Sequence, residues 1–127
     1  MSKKLTLKEL LDHKEKIKNK KVDTATLYIK SIDAEITIKA PSSALIVEAQ
    51  GEGEKDGTRA DAYIAYQCIT EPNLKDAELQ KEYGCVEPLD IVEMIFLPGE
   101  VAAIASEIMQ LAGFGSNVSK VGKEIKN

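Results

Sequence analysis

The sequence predicts an α+β fold in which one antiparallel β-hairpin lies against helices. Two observations carry that prediction. Apolar residues alternate with polar ones over VDTATLYIK and EITIKA, whereas elsewhere they recur at helical spacing between capping signals. A two-stranded hairpin is unstable alone, so its apolar face needs helices to cover it. With 127 residues, the chain is long enough to bury roughly two-thirds of its unfolded surface. We expect one domain over residues 1–114, made of a basic leading helix (1–21), a hairpin (22–39) and a helical part (41–114) of four or five short helices, and then a flexible tail over 115–127.

The leading helix is signalled by Thr6 and Glu9, a capping box in which each side chain satisfies a backbone N–H of the first turn. Leu7, Leu10, Leu11 and Ile17 then share a face, followed by a basic run of Lys14, Lys16, Lys18, Lys20 and Lys21. In the hairpin, Ala25, Leu27 and Ile29 share one side of the first strand, and Ile36 and Ile38 one side of the second, joined by a short link around SIDA. Pro41 ends strand character, and Ser42 or Ser43 caps a helix through ALIVEAQ.

The segment GEGEKDG, with three glycines and four charges, reads as a mobile loop. Thr58 with Asp61 suggests a second capping box, opening a helix on which Tyr63, Tyr66 and Ile69 are half-buried. A polar turn follows, then a short helix from Asp76 to Tyr83 stopped by Gly84. Pro88 suits the first turn of another helix, with Leu89, Val92, Ile95 and Phe96 pointing inward until Pro98 breaks it. Glu71-Pro72 and Glu87-Pro88 recur, but in unlike surroundings that do not make a repeat.

Composition narrows the function. No stretch is long and apolar enough to span a bilayer, and MSKKLTLKEL lacks the apolar region of a secretory signal. Cys68 and Cys85 are too few for a disulfide scaffold, so a cytoplasmic protein with reduced thiols is expected. The net charge of −4 is uneven: +4 over residues 1–39, −10 over 40–114 and +2 over 115–127. An acidic body argues against nucleic-acid binding there and leaves the basic ends as the alternative. That alternative, a small nucleic-acid-binding accessory protein using Lys14 to Lys21, is weakened by the absence of any interleaved aromatic or Arg to stack on bases.

Catalytic chemistry finds no constellation. Glu52, Glu54, Asp56 and Gly57 have the opening spacing of a calcium loop, but Arg59 and Tyr63 occupy the eighth and twelfth positions and the bidentate Glu is missing. His13, Cys68 and Cys85 are too scattered for zinc. His13 beside lysines reads as exposed, Cys68 as a small core residue, and Gly51, Gly53 and Gly57 fit no phosphate-cradling motif. No cofactor, metal site or catalytic residue is expected, and the chain reads as a non-enzyme.

The closing helix, LPGEVAAIASEIMQLAGFG, is apolar over two faces. Glu100, Ala103, Glu107 and Gln110 form a narrow polar stripe, and Val101, Ile104, Ile108 and Leu111 form the face expected in the core. Beside it, Ala102, Ala105, Met109 and Ala112 make a face of small residues and one adaptable Met, suited to close approach of another backbone. Gly113 suits a left-handed C′ position, with Phe114 turned back toward Met109. Ala102, Ala105, Met109, Ala112 and Phe114 are the candidate partner-binding residues, for another protein or for a second copy.

Three stretches, TLKELLDHKEKIKNK, IKAPS and DAYIAYQCITEPNLKDAELQKEYGCVEPLDIVEMIFLPGEVAAIASEIMQLAGF, together resemble the XkdN-like family of tail assembly chaperones from phages and prophages of Gram-positive bacteria. The most specific piece is FLPGE, an Ala/Ile-rich helix and a Leu-x-Gly-Phe ending, with Ala112 where the family commonly has Ser. The resemblance implies a non-enzymatic protein of the host cytoplasm, made during tail morphogenesis and absent from the finished virion. It would bind the tape measure protein, keep it soluble and help recruit tail tube subunits; in related phages a programmed frameshift gives a longer form.

Overall fold

The computed structural model describes residues 3–20 and 23–122. Its elements run α1 (Leu7–Asp12), α2 (Lys14–Asn19), β1 (Thr24–Ile29), β2 (Ala34–Lys39), α3 (Ser43–Lys55), α4 (Arg59–Cys68), β3 (Ile69–Glu71), α5 (Ala77–Glu82), α6 (Asp90–Ile95) and α7 (Pro98–Leu111). The fold is α+β, with an antiparallel sheet in the order β1-β2-β3.

The hairpin forms where the alternation predicts it. Its register pairs Thr24 with Lys39 through to Ile29 with Ala34. Ala40 N–H donates to Asp23 O at 3.0 Å, one step beyond the ladder. Hydrogen-bonded and non-hydrogen-bonded pairs alternate in an antiparallel ladder. The backbone groups of Ala25, Leu27 and Ile29 therefore point to β2, and those of Thr24, Thr26 and Tyr28 point away from it. The link closes through a 3-10 turn at Lys30–Ile32 and Asp33 at φ 48°, a left-handed position that Asp tolerates. Asp33 Oδ1 accepts the Tyr28 hydroxyl proton at 2.6 Å, which fixes the turn against the strand.

The core gathers Ile29, Ile36 and Ile38 from the sheet, the inner faces of α4 and α7, and Ile91, Val92 and Phe96 from the α6 segment. Each fully buried Ile contributes about 1.5–3 kcal/mol by leaving water. Helix α4 holds the centre: it packs on α3, on α7 and on α6, and runs directly into β3.

Four expectations are corrected. The leading helix is two helices, broken at His13 (φ −111°, ψ 27°), and none of its residues is buried; Lys21 lies outside the described residues. The GEGEKDG stretch is not a loop up to Lys55, because α3 continues through it. Helix packing outweighs glycine's low helix propensity there: a Cβ at Gly53 would come within 3.1 Å of Ala60 Cβ, so glycine lets α3 approach α4 closely. Thr58 does not cap α4 through its side chain. Its N–H and hydroxyl both donate to Asp56 Oδ1, at 3.0 Å each, so Asp56 organises the turn. The helix expected to carry Ile69 ends at Cys68, and Ile69–Glu71 forms β3, where Ile69 pairs with Ile38 and is buried rather than half-buried. Of the predicted tail, residues 115–122 contain no helix or strand, and residues 123–127 lie outside the described residues.

Candidate partner-binding surface

Helix α7 is set by its ends. Leu97 has no side-chain acceptor to cap it, so Glu100 reaches back and accepts the Leu97 N–H at 2.9 Å. That bond, with Ser31 of the hairpin turn beside it, holds the Glu100 carboxyl below the usual carboxylate range. At the other end, Phe114 N–H donates to Met109 O at 3.2 Å and Gly113 N–H to Gln110 O at 2.9 Å, with Gly113 at φ 94°. These two bonds are the Schellman arrangement expected from the Gly-Phe ending.

Between those ends the helix divides unequally. Val101, Ile104 and Ile108 are buried and Leu111 half-buried, as expected of the core face. Of the five candidate partner residues, Ala102, Ala112 and Phe114 are exposed and Met109 is half-buried. Ala105 departs from the set: at 2% exposure it belongs to the core. At 100° per residue it lies only about 60° around the axis from Ile108, so the wall of neighbours that covers Ile108 covers it too. Ala102, further round, stays clear.

A larger uncovered apolar surface lies elsewhere. Leu5, Leu7 and Leu11 are 70%, 79% and 75% exposed, and none of residues 3–20 joins the core. A hollow of about 320 Å³ in this segment is lined by Lys3, Leu5, Glu9, His13, Lys16, Ile17 and Lys20. The alignment of Leu7 and Leu11 one turn apart was legible in the sequence, whereas Ile17, expected on the same face, lies beyond the break at His13 and lines the hollow without them. The lack of cover over the two leucines was not legible, because spacing shows which residues share a face but not what meets it.

A second concavity, about 410 Å³, runs between β1 and α7. Leu27, Tyr28, Ile29 and Lys30 form one wall, and Glu100, Ala103, Ile104 and Glu107 the other. The polar stripe of α7 thus faces a groove, which periodicity alone did not reveal.

Reactive groups do not converge. Burial pushes the Cys68 thiol up, away from nucleophilic thiolate character. His13 is exposed, at the break between α1 and α2. Among the described residues, no three His, Cys, Asp or Glu side chains gather as a metal site. No helix among them is long and apolar enough to cross a membrane.

The sequence model of phage XkdN-like tail assembly chaperone proteins matches residues 5–126 of the chain. The crystal structure of the protein YqbN superposes with a TM-score of 0.59 at 20% identity, over 74% of this chain and 87% of that one, a likeness of fold. No curated protein matches.

Proposed function

Because the chain belongs to the phage XkdN-like tail assembly chaperone family, we propose that it binds the tape measure protein of its phage, keeps it soluble and helps recruit tail tube subunits. One observation carries this reading: Leu5, Leu7 and Leu11 stand uncovered on a segment outside the core. Leu7 and Leu11, one turn apart on α1, form an exposed apolar pair among charged neighbours, a feature that suits an interaction surface. An aggregation-prone partner needs this kind of cover, held weakly enough to be exchanged for tube contacts later. Ala102 and Met109 of α7, with Ala112 and Phe114 just past its end, are a second candidate surface for this partner or for self-association. The role needs no catalytic group or cofactor. It places the protein in the host cytoplasm during assembly and outside the mature virion.

Co-expression with the tape measure protein tests the proposal. The two are expected to co-purify, and Leu7→Glu with Leu11→Glu is expected to abolish capture while leaving the melting curve almost unchanged. A tape measure protein that stays insoluble and unbound at every ratio would refute the role. Finding the chain in purified virions by mass spectrometry would refute its expected absence from them.

A further inference from the structure

We propose that the free edge of β1 takes up an extended, basic segment of the tape measure protein as an added strand. The inference rests on the chaperone role above and specifies how part of the partner is held.

β1 pairs with β2 alone and so forms one edge of the sheet. The ladder phase set by Asp23 and Ala40 turns the N–H and C=O groups of Thr24, Thr26 and Tyr28 outward. These groups have no strand partner among the described residues. Natural sheets protect such edges with lysine, proline, a bulge or a covering element. The six residues TATLYI contain no charge and no proline, and the β1–β2 register runs without a bulge. β1 itself therefore carries none of the sequence devices that block an edge.

The groove between β1 and α7 lies beside it. Alternate side chains of an added strand point to one face, and on the α7 side they meet Ala103 and Glu107. Glu100 is engaged by Leu97 N–H, whereas Glu107 has no ion pair or hydrogen bond among the described residues. Glu100 and Glu107 against the single Lys30 leave the groove lining net negative, and Glu107 on the α7 wall favours an occupant carrying Lys or Arg there. Strand addition draws affinity from main-chain bonds and specificity from alternate side chains. Here those side chains would be apolar over Ala103 and basic against Glu107.

The test follows amide hydrogen exchange in the full-length chain, alone and in complex with the co-expressed tape measure protein. The amides of Thr24, Thr26 and Tyr28 are expected to slow by about tenfold or more in the complex. Thr26→Pro deletes an outward N–H and leaves the β2 ladder intact; it is expected to weaken binding by roughly tenfold. Thr26→Ala, which keeps the N–H, should bind like the unaltered chain, and Glu107→Lys should bind more weakly. If Thr26→Pro fails to fold, the exchange of the unaltered chain decides. A complex that forms while these amides stay fast overturns the strand proposal and leaves the chaperone role standing. Concentration-dependent protection in the chain alone overturns it in favour of a second copy. Failure to form any complex overturns both.

Discussion

Arg59 Nε lies 3.1 Å from Glu52 Oε1, which joins the first turn of α4 to the last turns of α3. Nη2 of the same guanidinium reaches Glu87 Oε1 at 3.1 Å. The Glu52 carboxyl is held below the usual range by Arg59 first and Lys55 second, and that of Asp56 by the N–H and hydroxyl of Thr58. Carboxylates already engaged in this way are poorly placed to ligate a cation. A calorimetric titration with calcium is expected to show no micromolar binding, and a clear binding isotherm would contradict this assignment. Arg59→Ala is expected to lower the melting temperature, with the difference shrinking in high salt as the ion pairs are screened.

Acid should loosen the attachment of α7. The folded-state pKa of Glu100 is depressed, chiefly by its bond from Leu97 N–H, so its contribution is present above the unfolded carboxylate value. It is lost as pH falls through the folded one. Melting temperatures taken from about pH 6 down to about pH 3 should fall less steeply for Glu100→Gln than for the unaltered chain. Equal slopes would show that the bond adds no pH-dependent stability.

Neighbouring alanines on α7 should behave oppositely. Ala105→Glu places an unpaired charge at a position that is 2% exposed and is expected to cost about 3 kcal/mol or more. Ala102→Glu, on the exposed side, should stay within about 0.5 kcal/mol. Denaturant unfolding of the two variants distinguishes core from surface directly.

Gly113→Ala tests the end of α7. At φ 94° a side chain strains the backbone whatever space surrounds it. The substitution should destabilise by about 1 kcal/mol. A neutral result would mean that the Schellman bonds contribute little to the stability of the fold.

Much of this architecture is written locally. Thr6, Ser42 and Asp76 each accept a backbone N–H from three residues ahead, as their identities suggest. The strands of the hairpin and the inward face of α7 follow from spacing, because a strict period leaves one face apolar and one polar. The segment Ile69–Glu71 was not legible, since three residues are too few to show a period; it becomes a strand because β2 offers it an edge. The helicity of Gly51 to Lys55 was likewise hidden, because its cause is the close approach of Gly53 to Ala60 across two helices.

The candidate surface divides in the same way. The sequence alone determined which residues of α7 share a face, where the helix begins and ends, and that the leading leucines line up. Only the tertiary structure decided that Ala105 is covered while Ala102 is not, that Leu7 and Leu11 of α1 stay exposed, and that β1 keeps a free edge beside Glu107. Periodicity is a property of one element and is fixed by its own backbone geometry. Cover is a property of two elements, and it exists only once the chain has brought them together.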